Sequence, residues 1–117
     1  MSTEARTAIA AAASTVDGVK CTPYYRQSLK PGDACVRLQV RTKASNGFGY
    51  VDTWQVWLAL PQDVAAAEKW LDDHGADVLA ALNPEFIGGI QTVTPAELVL
   101  GSGASTNGVI YQGAREG

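Results

Sequence analysis

The sequence is poor in the residues on which metal centres and nucleophilic catalysis usually depend. Among its 117 residues are two cysteines, Cys21 and Cys35, and a single histidine, His74. A closed zinc site needs four ligands, and these cysteines are too far apart for a CxxC motif, so a structural zinc site is excluded. A Cys21–Cys35 disulfide between adjacent strands stays open as an alternative. Because the chain shows no export signal, we expect two reduced, buried thiols.

Long apolar segments are also missing. No uncharged run approaches the roughly 20 residues that a membrane span requires. The N-terminal residues 1–4 lack the basic region and apolar stretch of a signal peptide. A hydrophobic content of 46% excludes a wholly disordered chain, and 117 residues fit one domain. We therefore expect a soluble, non-exported, single domain over residues 1–117 with no membrane partner.

No group of residues has the pattern of an enzyme active site. His74 lies beside Asp72 and Asp73 in a predicted surface helix, where nothing places a nucleophile next to it. Ser102 lies in Gly-Ser-Gly without the GxSxG elbow, and this turn lacks the lysine and spacing of a phosphate loop. We predict no catalytic residue, no cofactor and no metal.

Charge of the two signs is unevenly distributed along the chain. Residues 1–60 carry seven basic and four acidic side chains, whereas residues 61–117 carry two basic and eight acidic ones. The two parts therefore have net charges of +3 and −6, which sum to the −3 of the whole chain. Oppositely charged surfaces could join copies of the chain head to tail. A solvated acidic helix is the alternative explanation.

Hydrophobic periodicity and turn residues predict an α+β domain, with two helices packed on a mainly antiparallel sheet of about four to five strands. Pro61 is expected to open the second helix, Gly75 to interrupt it, and the tail from Gly113 to be loose. The predicted helices cover residues 3–14 and 61–82, and the predicted strands cover residues 19–22, 35–41, 48–60, 90–93, 97–100 and 109–112. Residues 24–33 form a predicted functional loop, and residues 43–47, with their Asn-Gly pair, form a hairpin turn.

The two longest predicted strands alternate in polarity. In residues 35–41, the odd positions include Arg37 and Arg41, so this strand is predicted to have one polar, basic face. In residues 48–60, the even positions form the core face. Trp57 lies on the other face, where another element or another subunit must cover it.

These patterns give a set of candidate interface residues for contacts with neighbouring subunits or partners. An open basic and aromatic surface can also contact nucleic acid, but the acidic chain as a whole argues against tight binding. The basic candidates are Arg26, Lys30, Arg37, Arg41 and Lys43, the aromatic ones are Tyr24, Tyr25 and Trp57, and the acidic ones are Glu68, Asp72 and Asp73.

Two stretches carry a resemblance to a known family: TPYYRQSLKPGDACVRLQV, and GFGYVDTWQVWLALPQDVAAAEKWLDDH. Together they resemble the tail terminator proteins of long, non-contractile-tailed phages (siphoviruses) that infect actinobacteria. The similarity in layout extends over almost the whole chain.

The resemblance implies an α+β virion protein without catalytic residues, assembled in the host cytoplasm. Its subunits would form a six-membered ring at the head-proximal end of the tail. That ring would cap the tail tube protein, stop polymerisation and present a surface to the head-side connector, while genomic DNA passes through its lumen without sequence-specific binding.

Two other functions stay open. One is a different head-to-tail connector or stopper of the phage neck. The other is a small enzyme or ligand-binding domain that uses a cleft near Tyr24, Tyr25 and Arg26.

Overall fold

The computed structural model describes residues 2–45, 47 and 49–116, and they form a five-stranded sheet with two helices. The elements are α1 (Ser2–Ala13), β1 (Lys20–Thr22), β2 (Asp33–Lys43), β3 (Tyr50–Ala59), α2 (Val64–Leu82), a 3-10 turn (Asn83–Glu85), β4 (Thr92–Val99) and β5 (Ser105–Glu116). The strand order is β1-β2-β3-β5-β4, in which only β1 and β2 run parallel. The predicted α+β class is confirmed. No helix of the described residues is long and apolar enough to cross a membrane.

The main core lies between the sheet and the two helices. Trp54, Val56 and Leu58 of β3 are at most 1% exposed and belong to one cluster with Ile9 of α1 and Leu82 of α2. The even positions of the central strand therefore face the helices, as their alternation predicts. Tyr50 is the exception, because it lies beyond the helix layer and is exposed.

Neither helix of the described residues contributes to the second face of the sheet. A smaller cluster lies at one end of it, where Trp57 and Ile110 flank five buried residues. These five are Leu29, Cys35, Ala59, Leu98 and Leu100. Leu29 belongs to the loop between β1 and β2, so an element of the same chain covers this end of the face. We call the rest of this surface the open face.

The second helix begins later than predicted and is continuous. Asp63 is its N-cap and accepts a hydrogen bond from Ala66 N–H at 3.0 Å, so Pro61 precedes the helix. Gly75 does not interrupt α2, which is continuous over Val64–Leu82, and its carbonyl accepts a hydrogen bond from the Tyr111 hydroxyl at 3.2 Å. A Cβ at Gly75 would lie 3.0 Å from Leu71 Cδ1. The glycine thus leaves space for the Leu71 side chain of the same helix.

The C-terminal third is more regular than predicted. Leu60 N–H donates to the Asn107 carbonyl at 2.8 Å. Backbone groups of successive residues in a strand point to opposite neighbours, so the odd-numbered residues of β5 form hydrogen bonds with β3 and the even-numbered ones with β4. Pro95 lies opposite Val109, an odd position, so its missing N–H would face away from the sheet. One strand therefore runs through Pro95, where two were predicted. The predicted loose tail is also wrong, since Glu116 pairs with Val51.

A β-bulge in β2 overturns the predicted basic face. The register pairs Leu38 with Trp54 but Val40 with Thr53, so Gln39 is an extra residue. Side chains of directly paired residues share a face. Arg37, opposite Gln55, therefore lies on the open face, and Arg41, opposite Asp52, lies on the helix side.

The predicted hairpin turn joins β2 to β3. Asn46 of that turn and Phe48, the first residue of the predicted strand, lie outside the described residues.

Replacing Asp63 with Ala should lower the free energy of unfolding by about 1 kcal/mol, because the Ala66 N–H loses its acceptor at the start of α2. Urea denaturation followed by circular dichroism measures the change. The matched control is Asp73→Ala, which removes an exposed carboxylate from the same helix. An equal effect of the two substitutions would contradict the capping role.

Candidate interaction surfaces

The open face carries an arginine held between two aromatic rings. The Arg37 guanidinium carbon lies 4.4 Å from the centre of the Tyr25 ring and 4.7 Å from that of Trp57. The rings themselves meet edge to face at 6.4 Å. Stacking of a cation on aromatic faces stabilises the side-chain position without using its N–H groups. Within the described chain, those N–H groups form no hydrogen bond, so they remain available to a partner.

A row of amide side chains continues from this stack across the sheet. Trp57 Nε1 donates to Gln55 Oε1 at 2.9 Å, and Gln55 Nε2 donates to Gln112 Oε1 at 3.0 Å. Each bond orients the next side chain, so the row is fixed before any partner arrives. Trp57 and Arg37, both candidates from the sequence, are therefore brought together here.

A second stack of the same kind lies on the helix side. The Arg6 guanidinium carbon is 4.7 Å from the Tyr24 ring centre and 5.1 Å from that of Trp54. Arg6 Nη1 also donates to the Pro23 carbonyl at 2.9 Å and to the Val36 carbonyl at 3.1 Å. Sequence reasoning missed Arg6. In the sequence, Arg6 is a lone basic residue in an alanine-rich helix, and this pattern does not predict which residues it contacts.

The predicted functional loop is tied to the rest of the chain by its own side chains. Asp33 Oδ2 accepts from Lys30 N–H at 3.2 Å and lies 3.6 Å from Arg26 Nη1. The Tyr25 hydroxyl accepts a hydrogen bond from Gly101 N–H in the β4–β5 turn. Arg26 thus faces an internal carboxylate, whereas the Lys30 side chain is exposed.

The far ends of β2 and β3 form the segment of residues 38–43 with residues 50–52, which we call the hairpin arm. β5 still pairs with Val51 and Asp52, so the Lys43–Tyr50 pair is the part that extends past β5. Every residue of its β2 part is exposed. Arg41 binds Asp52 with Nε–Oδ1 at 2.6 Å and Nη2–Oδ2 at 2.9 Å, and Asp52 is 2% exposed. The hydrogen bond to Asp52 raises the pKa of Arg41 above its ordinary value. Arg41 therefore neutralises a buried carboxylate, and Lys43 carries the free charge of the arm.

The acidic candidates lie on the outer surface of α2. Glu68, Asp72 and Asp73 are all exposed, and no ion pair joins them to another described residue. His74 stacks on Trp70 with ring centres 4.8 Å apart, so its ring is held against the helix. No group of three or more His, Cys, Asp or Glu among the described residues could hold a metal ion.

An apolar groove separates α2 from the edge strand β4. It has a volume of about 200 Å³ and is lined mainly by aliphatic side chains, with Glu68 at its rim. This α2–β4 groove includes Leu60, Val64, Ala67, Leu71, Pro95 and Ala96. Its volume is below the roughly 300–1,000 Å³ of small-molecule sites, so it fits an apolar side chain of a protein better than a ligand.

The two cysteines are free thiols on opposite faces of the sheet. Cys21 pairs with Ala34 on the helix side, whereas Cys35 pairs with Trp57 on the second face. Side chains that point to opposite faces do not meet the geometry of a disulfide. Burial raises the pKa of Cys21 to about 12, and burial also raises the pKa of Cys35.

Comparison with known proteins assigns the chain to no family. No protein-family model matches the sequence, and no curated protein matches it significantly.

Both thiols should resist alkylation in the folded protein at pH 8. Their pKa values are raised, so the reactive thiolate is scarce at that pH, and it becomes abundant only when unfolding returns each pKa to about 8.5. Mass spectrometry after iodoacetamide treatment, with and without urea, measures the difference. Rapid labelling of the native protein would contradict this prediction.

Replacing Arg41 with Ala should lower the urea midpoint, because the buried Asp52 carboxylate loses its bidentate partner. The double variant Arg41→Ala/Asp52→Asn should recover much of the loss. Lys43→Ala, two residues further along the same strand and exposed, is the control and should have little effect. Equal effects of the two single substitutions would show that the pair is unimportant for folding.

Proposed function

We propose that this chain is a structural subunit of a ring, a hexamer by its resemblance to tail terminators, at the head-proximal end of a phage tail tube. In this role it stops tube polymerisation and offers a surface to the head-side connector. DNA passes through the lumen of the ring without base-specific contacts.

The observation that carries the proposal is the separation of two unlike surfaces on one small domain. The acidic outer surface of α2 carries Glu68, Asp72 and Asp73, and the sheet carries Arg37 and Lys43 on other surfaces. A ring forms when one repeated contact joins two different surfaces of neighbouring copies. Charge complementarity between such surfaces favours the correct orientation and suppresses like-with-like pairing.

The open face supports the same proposal. A sheet with helices on one side leaves a second side that partners can cover. Here that side has an oriented arginine between Tyr25 and Trp57 and a row of amide groups, Gln55 and Gln112. Rigid aromatic and arginine side chains are enriched at the centres of protein interfaces. This surface suits a protein partner, such as the tail tube protein or the connector.

The test uses purified protein with polymerising tail tube protein. Light scattering over a concentration series should reveal a closed ring, alone or once tubes are present, and negative-stain images should show it at one tube end. Tube growth should stop at substoichiometric amounts. Asp72→Lys/Asp73→Lys should weaken ring formation, and Asp17→Lys, which reverses the charge of an exposed carboxylate outside α2, is the control.

Three results would count against the proposal or redirect it. A stable dimer with two-fold symmetry would overturn the ring, since its contact uses the same surface on both copies. A ring that ignores tail tubes but binds the portal side would assign the chain to a stopper. A monomer that neither caps tubes nor binds neck proteins would refute a structural role in the tail.

A further inference from the structure

We propose that the helix side of the hairpin arm of one copy inserts into the α2–β4 groove of a second copy. This inference rests on the proposed function and names the contact that would close its ring. The occupant of the groove is the arm of a second copy of this chain.

The arm has an apolar surface that its own chain leaves uncovered. Tyr50 is 52% exposed and Leu38 is 36% exposed. Leu38 pairs with the core residue Trp54, and Tyr50 of β3, which pairs with Lys43, shares the even-numbered face of Trp54, so both lie on the helix side. They flank Arg41 and Asp52, which neutralise each other. The helix side of the arm thus combines two large apolar side chains with one free cation, Lys43.

The groove offers the matching chemistry. Val64, 62% exposed, and Leu71 provide apolar walls from α2, and Pro95 and Ala96 provide the wall from β4. The Glu68 carboxylate lines the groove, and the exposed Asp72 follows one helical turn further along α2. An apolar side chain such as Tyr50 fits the groove, and Lys43 would lie near the carboxylates.

The arm cannot reach the groove of its own chain. Tyr50 begins β3, and Leu60 of the groove follows the end of that strand, so the two are about 33 Å apart along it. The strand order also separates β2 from β4 by two strands. Contact between arm and groove therefore joins two copies through unlike surfaces, as ring closure requires.

The contact depends on side chains rather than on added strand pairing. Pro95 has no N–H to offer at the outer edge of β4. Its position therefore hinders the pairing of a further strand with this edge. Charge complementarity favours a second copy over the tail tube protein as occupant, because cation and carboxylates belong to the same chain.

The first experiment is cysteine cross-linking between two variants, Lys43→Cys and Glu68→Cys. Under mild oxidation, a cross-linked dimer should form when the variants are mixed and not when either is incubated alone. The native thiols should not compete, because Cys35 is buried, Cys21 is half-buried and both have raised pKa values. Ile87→Cys, 53% exposed and outside arm and groove, replaces Glu68→Cys in the control mixture and should give no product.

The second experiment measures assembly by light scattering. Tyr50→Ser and Val64→Ser each remove an exposed apolar group, so folding should be retained, and each should raise the half-assembly concentration at least about tenfold. Ile87→Ser is the matched control and should assemble normally. Lys43→Glu and Glu68→Lys should each weaken assembly, and the combination should restore it.

The outcomes separate this contact from the proposed function. If rings form and cap tubes normally with every arm and groove substitution, the contact is refuted and the proposed function is retained. Arm variants that form rings normally but fail to bind tubes would assign the arm to the tube protein and also overturn it. A chain that shows neither cross-link nor self-association would refute the contact as well as the ring.

Discussion

Two arginine–aromatic stacks hold the sheet edge, and the other surfaces depend on them. Tyr24 and Tyr25 are adjacent, and they stack on Arg6 at the helix side and Arg37 at the open face. The chain bends at Pro23 and Tyr24, just after β1, and the two adjacent rings lie on opposite faces of the sheet, so one dipeptide contacts both faces. The same segment leads into Leu29 and the small cluster that covers Trp57. Loss of either stack would loosen α1 or the cover of the second face.

The bulge at Gln39 gives β2 two functions. Before it, β2 is part of the packed sheet, with Val36 buried under the helices. After it, the strand changes which side its residues face, so Val40 points to the open face and Arg41 reaches Asp52 on the helix side. This pairing neutralises a buried carboxylate in the hairpin arm, where no helix could shield it. The bulge is thus the feature that places Arg41 opposite Asp52 on the helix side.

Periodicity predicted the helices, the core face of β3 and the α+β class, because burial of one face imposes regular spacing on the sequence. It did not predict the bulge, since one extra residue changes the parity of a strand without any compositional mark. Pro95 and Gly113 look like breaks, yet one is tolerated at an outward edge position and the other lies against the Phe86 ring. The sequence predicted one part of the candidate site and missed another. The alternation of β3 places Trp57 on the second face, whereas the contacts of Arg6 depend on how the folded chain brings distant residues together.

The distribution of charge in space differs from its distribution along the chain. Of the basic residues in the first half, Arg41 and Arg26 face internal carboxylates, and Arg6 and Arg37 lie between aromatic rings. The exposed lysines, with Lys43 on the arm, are what remains free, whereas the carboxylates of α2 all face solvent. A single lysine against two carboxylates in water contributes little binding free energy. Affinity between copies must then come from buried apolar area such as that of Tyr50 and Val64, and charge must act mainly on orientation. The same division explains how a chain with a net charge of −3 can associate with itself: repulsion between the acidic helices disfavours like surfaces and leaves arm against groove as the favourable arrangement.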